Sequence, residues 1–348
     1  VKSRTEIHVK EFPVKVKPDD SIVLMGSCFS GKLLSKFQLA KFQVCVNPFG
    51  TTYNPLSLAW QLERLGQERS FDEQDVRSHG RKCFSFQHHT KFTSTSTQET
   101  LQLMNKEFML ARQSLLSADF LFLTLGSAWA FTLRETGEVV SNCHKLPQLL
   151  FSRKIVSASE ASEALKDSLT TWMSLNPKLR IIITVSPVRH WKDGAVENSR
   201  SKANLIVTAH ELMAQLPNKV FYFPSYEIVM DDLRDYRYYQ DDLLHPTNFA
   251  IDYIWNKLVD SLFTKSSSTL LRRLDAIHRA VQHRPFDEVD PAYQVFARKQ
   301  LSEMESLEKE FPHVRVCFFP LEVFSSEGPC RQQMSFKSEK EIFLSRLI

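Results

Sequence analysis

Two short segments, more than 200 residues apart, carry the side chains that nucleophilic catalysis needs: Gly26-Ser27-Cys28-Phe29 and Asp242-Leu243-Leu244-His245-Pro246-Thr247. In the first, a hydroxyl and a thiol follow a glycine. A nucleophile on a sharp turn ahead of a helix is exposed, and the helix dipole favours an anion there. A thiol so placed loses its proton more readily. The same residues also fit a plainer role, with Cys28 a small buried side chain at a strand–helix crossing and Ser27 a helix cap. In the second segment an Asp stands three residues before a His, on a turn leading into a helix. That spacing can set the carboxylate against the imidazole, fixing its tautomer and stabilising the imidazolium. Such a spacing also arises by chance, with Asp242 solvated and His245 merely packed. Its weight comes from following the last strand of a domain that opens with a nucleophile on a turn.

Further candidates lie in the loops between. Asn47, Gly50, Gly126 and Ser127 sit at strand ends, where backbone N–H groups can hold a developing oxyanion. Ordinary turn chemistry accounts for each of them singly. Arg189, in Ser186-Pro187-Val188-Arg189-His190, suits a carboxylate or phosphate of a substrate, or else pairs with a structural acid. His88, His89, Cys143, His144 and His190 match no zinc spacing, so His88 and His144 are read as lining a cleft. Neither a metal nor a cofactor is expected.

Positioning these groups requires strands that end where they lie. Ser21–Met25, Gln43–Val46, Asp119–Leu125, Arg180–Val185 and Val220–Phe223 are short apolar runs and read as buried strands. Helical spacing follows from Gly26 to Leu39, at Pro55–Leu65, Glu99–Leu116, Ser159–Met173 and Ser199–Leu216, and at Thr247–Phe263 with Thr247 as N-cap. A hairpin is expected from Phe131–Leu133 and Glu138–Val140 around Glu135-Thr136-Gly137. Continuous apolar strands alternating with helices predict an α/β fold with a mainly parallel sheet covered on both faces. Ligands then bind at the carboxyl ends of the strands, where the candidates fall.

Lys265-Ser266-Ser267-Ser268 marks a boundary. Beyond it, Thr269–Gln282 and Pro291–Phe311 read as two helices joined by His283-Arg284-Pro285-Phe286. The expected division is 1–264 for the α/β domain, 265–320 for a helical extension, and 321–348 for a polar, flexible tail. A net charge of +4 over 348 residues argues against a dedicated nucleic-acid partner. No apolar run is long enough for a transmembrane segment. Six scattered cysteines without a C-x-x-C pair read as free thiols, which fits a cytoplasmic setting. The start, Val1-Lys2-Ser3-Arg4, lacks the apolar stretch of a secretory leader, although a chain that does not begin with Met is compatible with a leader upstream.

Taken together the motifs are specific. Gly26-Ser27-Cys28-Phe29-Ser30 resembles the signature of the GSCFA family, with Ser30 in place of Ala. The resemblance continues through Asn47-Pro48-Phe49-Gly50, Thr124-Leu125-Gly126-Ser127-Ala128-Trp129 and Asn142-Cys143-His144-Lys145. It extends to Thr184–His190, Phe223–Glu227 and Asp242–Pro246, and spans about Thr5 to Phe263. That family is similar to the SGNH, or GDSL-like, hydrolases. The resemblance implies a flavodoxin-like three-layer α/β/α sandwich, a nucleophile after the first strand, and a late Asp-x-x-His that maps onto Asp242 and His245. It implies Gly50 as an oxyanion residue. Two departures stand out. Laid on the usual Gly-Asp-Ser turn, Ser27 falls on the Asp and Cys28 on the nucleophile, while Trp129 follows Gly126 where an oxyanion Asn belongs. The resemblance implies hydrolysis or acyl transfer on an ester, thioester or acylated substrate, small molecule or other, with Cys28 or Ser27 attacking. A binding module that keeps the fold without turnover is the alternative.

Overall fold

The structure, a computed structural model, describes residues 4–282 and 290–314. Its first half runs β1 (Ser21–Gly26), α1 (Cys28–Leu39), β2 (Gln43–Val46), α2 (Pro55–Gly66), β3 (Arg77–His79), β4 (Lys82–Phe84) and α3 (Thr97–Ser117). The chain continues through β5 (Phe120–Leu125), β6 (Trp129–Leu133), β7 (Val139–Val140), β8 (Phe151–Ile155), α4 (Ala158–Leu175) and β9 (Arg180–Val185). It closes with α5 (Gly194–Gln215), β10 (Val220–Phe223), α6 (Ser225–Glu227), α7 (Asn248–Leu262), α8 (Lys265–Gln282) and α9 (Pro291–Glu310). Helix starts are set locally. Asn54, Ser96, Ser157 and Thr247 each accept a backbone N–H of the first turn of α2, α3, α4 and α7.

The main sheet has the order β10-β9-β5-β1-β2, every neighbouring pair parallel. Strand alternation divides its side chains between two cores. Val23, Met25, Leu121, Leu123, Ile181 and Ile183 face α2, α3, α4 and α5, where Leu62, Phe108, Leu169, Trp172 and Leu205 meet them. Ile22, Leu24, Phe120, Phe122 and Ile182 face α1 and α7, against Phe29, Phe37, Ile254 and Leu258. Each such side chain contributes about 1.5–3 kcal/mol by leaving water. This is the three-layer α/β/α arrangement that continuous apolar strands require. Numbering only these five strands along the chain, the order is 2-1-3-4-5, so the direction of winding reverses between β1 and β5. In sheets of this kind ligands bind at the carboxyl ends of the strands, beside that reversal.

Several local features differ from the sequence reading. The expected hairpin gains a third strand, β8, antiparallel to β6. Its sequence, Phe-Ser-Arg-Lys-Ile, has too little apolar alternation to reveal it. The β3–β4 hairpin is likewise polar and mostly exposed. Helix α5 begins at Gly194, five residues before Ser199. Lys265–Ser268 is the first turn of α8, because the Ser267 N–H donates to Thr264 Oγ1 at 3.1 Å and starts the helix at once. Helices α8 and α9 pack together through Leu270, Leu274, Ile277, Tyr293, Met304 and Leu307. The His283–Phe286 connection and the tail from 321 lie outside the described residues. Among the described residues no helix is long and apolar enough to cross a membrane.

Candidate active site

β1 leaves the sheet at Gly26, whose φ is +132°. A Cβ there would lie 2.1 Å from Thr124 O on β5, so only glycine lets the chain turn this close to its neighbour. Ser27 follows, 1% exposed, with its N–H on Thr124 O at 3.1 Å. Its Oγ accepts the Phe29 N–H at 3.3 Å and caps α1. Cys28 is therefore the first residue of the helix, half-buried beyond the carboxyl end of β1.

The loop before α7 brings the second group. Leu243 adopts a left-handed φ of +57°, which folds the Asp242 carboxylate back on its own chain. Asp242 Oδ1 accepts the N–H groups of Leu244 and His245, each at 2.9 Å. Its Oδ2 lies 2.5 Å from His245 Nδ1. The two backbone donors, then the imidazole, hold the Asp242 carboxyl down at about 2. With Nδ1 donating to this carboxylate, Nε2 is the acceptor nitrogen, and it lies 3.7 Å from Cys28 Sγ. Cys28, His245 and Asp242 thus form one continuous line. The loop is pinned by the Gln240 N–H on His245 O and the Thr247 N–H on Tyr238 O, both at 2.8 Å.

Two residues that the sequence reading did not single out, Lys202 and Tyr53, lie close to Cys28, and His190 from the loop after β9 lies close to Lys202 and His245. Lys202 of α5, 1% exposed, donates from Nζ to Gly126 O and Ser186 O at 2.7 Å each. Burial pushes its ammonium down to about 7, opposed by the charge of Cys28. Burial pushes the Cys28 thiol up, opposed first by Lys202 and then by the thiol's own backbone N–H. Tyr53 and His190 stand edge-on with ring centroids 5.5 Å apart. Burial, aided by Lys202 and Arg153, depresses the His190 imidazole to about 4, so it is neutral at physiological pH. The signal for Lys202 was its position on the stripe Asn198, Lys202, Leu205, Ala209 and Leu212, which buries one face of α5.

Several expected site residues serve the framework. The Gly50 N–H is committed to Asn47 O at 2.7 Å, and the Gly126 and Ser127 N–H groups both go to Tyr53 O at 2.9 Å. Asn47 Oδ1 accepts the Gly26 N–H at 2.8 Å. Ser127 Oγ accepts the Trp129 N–H at 3.2 Å and lies 3.3 Å from Ser201 Oγ. These groups shape the loops, and the Gly50, Gly126 and Ser127 backbone N–H groups are not free for an oxyanion. His88 and His144 do not line the cleft. His88 is 1% exposed among Phe49, Phe71 and Phe92, and burial holds it down at about 3. His144 packs on Phe84 and its Nε2 bonds Ser85 O at 2.8 Å. Arg189 does border the site: its N–H reaches Leu244 O at 3.4 Å and its guanidinium lies over Trp191 at 4.4 Å. Among the described residues, no three His, Cys, Asp or Glu side chains gather in a group that could hold a metal ion. A cavity of about 590 Å³ between α8 and α9 shares no residue with this site.

No curated protein matches the chain. Among solved structures, it is similar to an acetyl xylan esterase from the rumen bacterium Butyrivibrio proteoclasticus, with 11% identity and a TM-score of 0.35. That match covers 71% of this chain and 64% of the other, a likeness too low to bear on activity. The model of the GSCFA domain protein C-terminal domain matches residues 274–317. The GSCFA family model matches residues 21–258, which include the β1 turn and the Asp242–His245 loop, and the chain belongs to the GSCFA family.

Proposed function

We propose that the chain is an acyl hydrolase or acyltransferase that works through a thioester on Cys28. The observation that carries this reading is the line Cys28 Sγ, His245 Nε2 and Asp242, with gaps of 3.7 and 2.5 Å. Cys28 is preferred to Ser27 because the Ser27 hydroxyl is buried and caps α1. Cys28 Sγ attacks the acyl carbon while its proton passes to His245 Nε2, and the carbonyl π electrons move onto oxygen. The Cys28 N–H, first in α1 and without an intrahelical acceptor by position, faces that oxygen together with the helix dipole. Collapse of the adduct breaks the bond to the leaving group, which takes the proton from His245. Water or an acceptor alcohol or amine then attacks the thioester and gives its proton to Nε2. The carbon–sulfur bond breaks, and His245 Nε2 returns its proton to Cys28 Sγ, which restores the thiol. Asp242 holds the imidazole throughout. Arg189, ion-paired to no carboxylate among the described residues, binds an anionic group of the substrate at the rim.

The committed amides at Gly50, Gly126 and Ser127 favour one competing reading, a binding module without turnover. Intact-protein mass after mixing with activated esters and acyl thioesters separates the two. The parent and Ser27→Ala gain one acyl mass, whereas Cys28→Ala and His245→Ala do not. An adduct lost in Ser27→Ala and kept in Cys28→Ala returns the role to serine. No adduct with any donor favours the binding module.

A further inference from the structure

An oxyanion is stabilised by donors already in place when it forms, and losing one costs an acyl-transfer site about 10²–10³-fold in rate. The Gly50, Gly126 and Ser127 N–H groups are bonded elsewhere, which leaves the Cys28 N–H at the start of α1. Tyr53 stands beside that turn. Thr52 gives its N–H to Gly26 O at 2.9 Å, Tyr53 O accepts the Gly126 and Ser127 N–H groups at 2.9 Å each, and Asn54 caps α2. The segment is thus stitched to the ends of both β1 and β5. A Cβ on Gly126 would lie 3.0 Å from Ser27 Cβ and 3.0 Å from Tyr53 Cδ1. Gly126 therefore leaves the space in which the Tyr53 ring lies beside Ser27, the residue before Cys28. His190 stands edge-on to the same ring, with centroids 5.5 Å apart. Thr52 and Asn54, on either side, are buried and bonded to Gly50 O and Ser57 Oγ. Tyr53 is 38% exposed, and its hydroxyl has no hydrogen-bond partner among the described residues.

We propose that Tyr53 is a catalytic residue of the Cys28 site, whose phenolic O–H donates to the acyl oxygen beside the Cys28 N–H. This rests on the reading of Cys28 as the nucleophile. As Sγ adds to the acyl carbon, the carbonyl π electrons move onto oxygen, and the hydrogen bond from the phenol strengthens with the charge. The phenol keeps its proton. When the leaving group departs, the electrons return to the carbon–oxygen bond and the hydrogen bond weakens again. The same donor serves the second adduct, formed when water or an acceptor attacks the thioester. Desolvation, then the charge of Cys28, pushes the phenol up from its ordinary value, so it remains a donor at neutral pH. Because its backbone is fixed to two strand ends and its ring to Gly126 and His190, little reorganisation is needed as the charge develops.

The test compares two reactions of Cys28 in the parent and in Tyr53→Phe, acetylation by p-nitrophenyl acetate and alkylation by iodoacetamide. Both are read as initial rates from the mass of the Cys28 peptide. Both consume the same thiolate, but only acetylation places charge on a carbonyl oxygen. Phe keeps the ring between Gly126 and His190 at a position that is already partly exposed, so the fold is retained. The expected result is acetylation about 10²-fold slower with alkylation unchanged. Acetylation at the parent's rate overturns the proposal. So does an equal fall in both rates, which places the effect in the thiol or the fold. His245→Ala reads the acyl mechanism separately. Acetylation at the parent's rate in that variant counts against His245 as the base, and so against the acyl reading. A loss in His245→Ala with none in Tyr53→Phe leaves that reading standing and removes Tyr53 alone.

Discussion

Asp242 shows how much one carboxylate can organise. It collects two backbone N–H groups and one imidazole, which offset the left-handed φ at Leu243, a conformation that costs an L-residue about 1–2 kcal/mol. The depressed carboxyl has a signed consequence. Its contribution to the loop is complete above the ordinary value of 3.8 and is lost only as pH falls through about 2, so the loop stays formed in mild acid. In Asp242→Asn the imidazole loses its anionic partner, and its tautomer is no longer fixed with Nε2 as acceptor. Acylation of Cys28 in that variant is expected to fall by about 10²–10⁴-fold in single-turnover kinetics, with the fold intact. A loss of less than threefold would mean that His245 needs no orienting partner.

Elements explain why the turn that leads into Cys28 tolerates so little change. β1 pairs with β5 up to Gly26↔Thr124, and α1 starts two residues later. Between them the chain must reverse direction beside a β5 carbonyl. Gly26→Ala places a methyl 2.1 Å from Thr124 O at a φ that L-residues rarely adopt. The expected cost is on the order of 3 kcal/mol or more in urea unfolding. Gly31→Ala, at an exposed position in the first turn of α1 with open space around it, is the control. It is expected to be neutral or stabilising by up to about 1 kcal/mol. Equal effects of the two substitutions would show that the turn is not constrained by β5.

The protein as one folded body buries imidazoles in their neutral form. His88 is held at about 3 and His190 at about 4, in each case chiefly by burial. A histidine whose folded value lies below its unfolded 6.5 binds a proton more readily in the unfolded chain. Stability is therefore full above 6.5 and declines as pH falls from there toward 3 or 4. Each such group steepens the loss by up to about 1.4 kcal/mol per pH unit. Chemical denaturation between about pH 7 and 4 tests this, because His88→Phe, which suits the ring cluster of Phe49, Phe71 and Phe92, is expected to lose less stability than the parent over that range. Parallel curves would show that His88 is solvated or protonated in the fold.

What could be read along the chain is what short-range patterns encode. The apolar runs at Arg180–Val185 and Val220–Phe223 are β9 and β10 to the residue, Thr247 caps α7, and alternating strands and helices give the parallel α/β/α sandwich. The Asp242–His245 contact was legible too, because three residues on one turn suffice to make it. Polar or short strands such as β3 and β8 left no periodic trace, and their pairing depends on partners elsewhere in the chain. The same holds within the site. Whether the Gly50, Gly126 and Ser127 amides are free depends on carbonyls at Asn47 and Tyr53, and nothing in a glycine's own neighbourhood records that. His88 looks like a loop histidine until Phe49, Phe71 and Phe92 close around it. Whether Ser27 or Cys28 faces His245 turns on a one-residue register between strand and helix, set by the approach of Gly26 to Thr124 across the sheet. Lys202 lies on the buried stripe of α5, but that it gives its Nζ to the Gly126 and Ser186 carbonyls is decided only when folding brings the ends of β5 and β9 together.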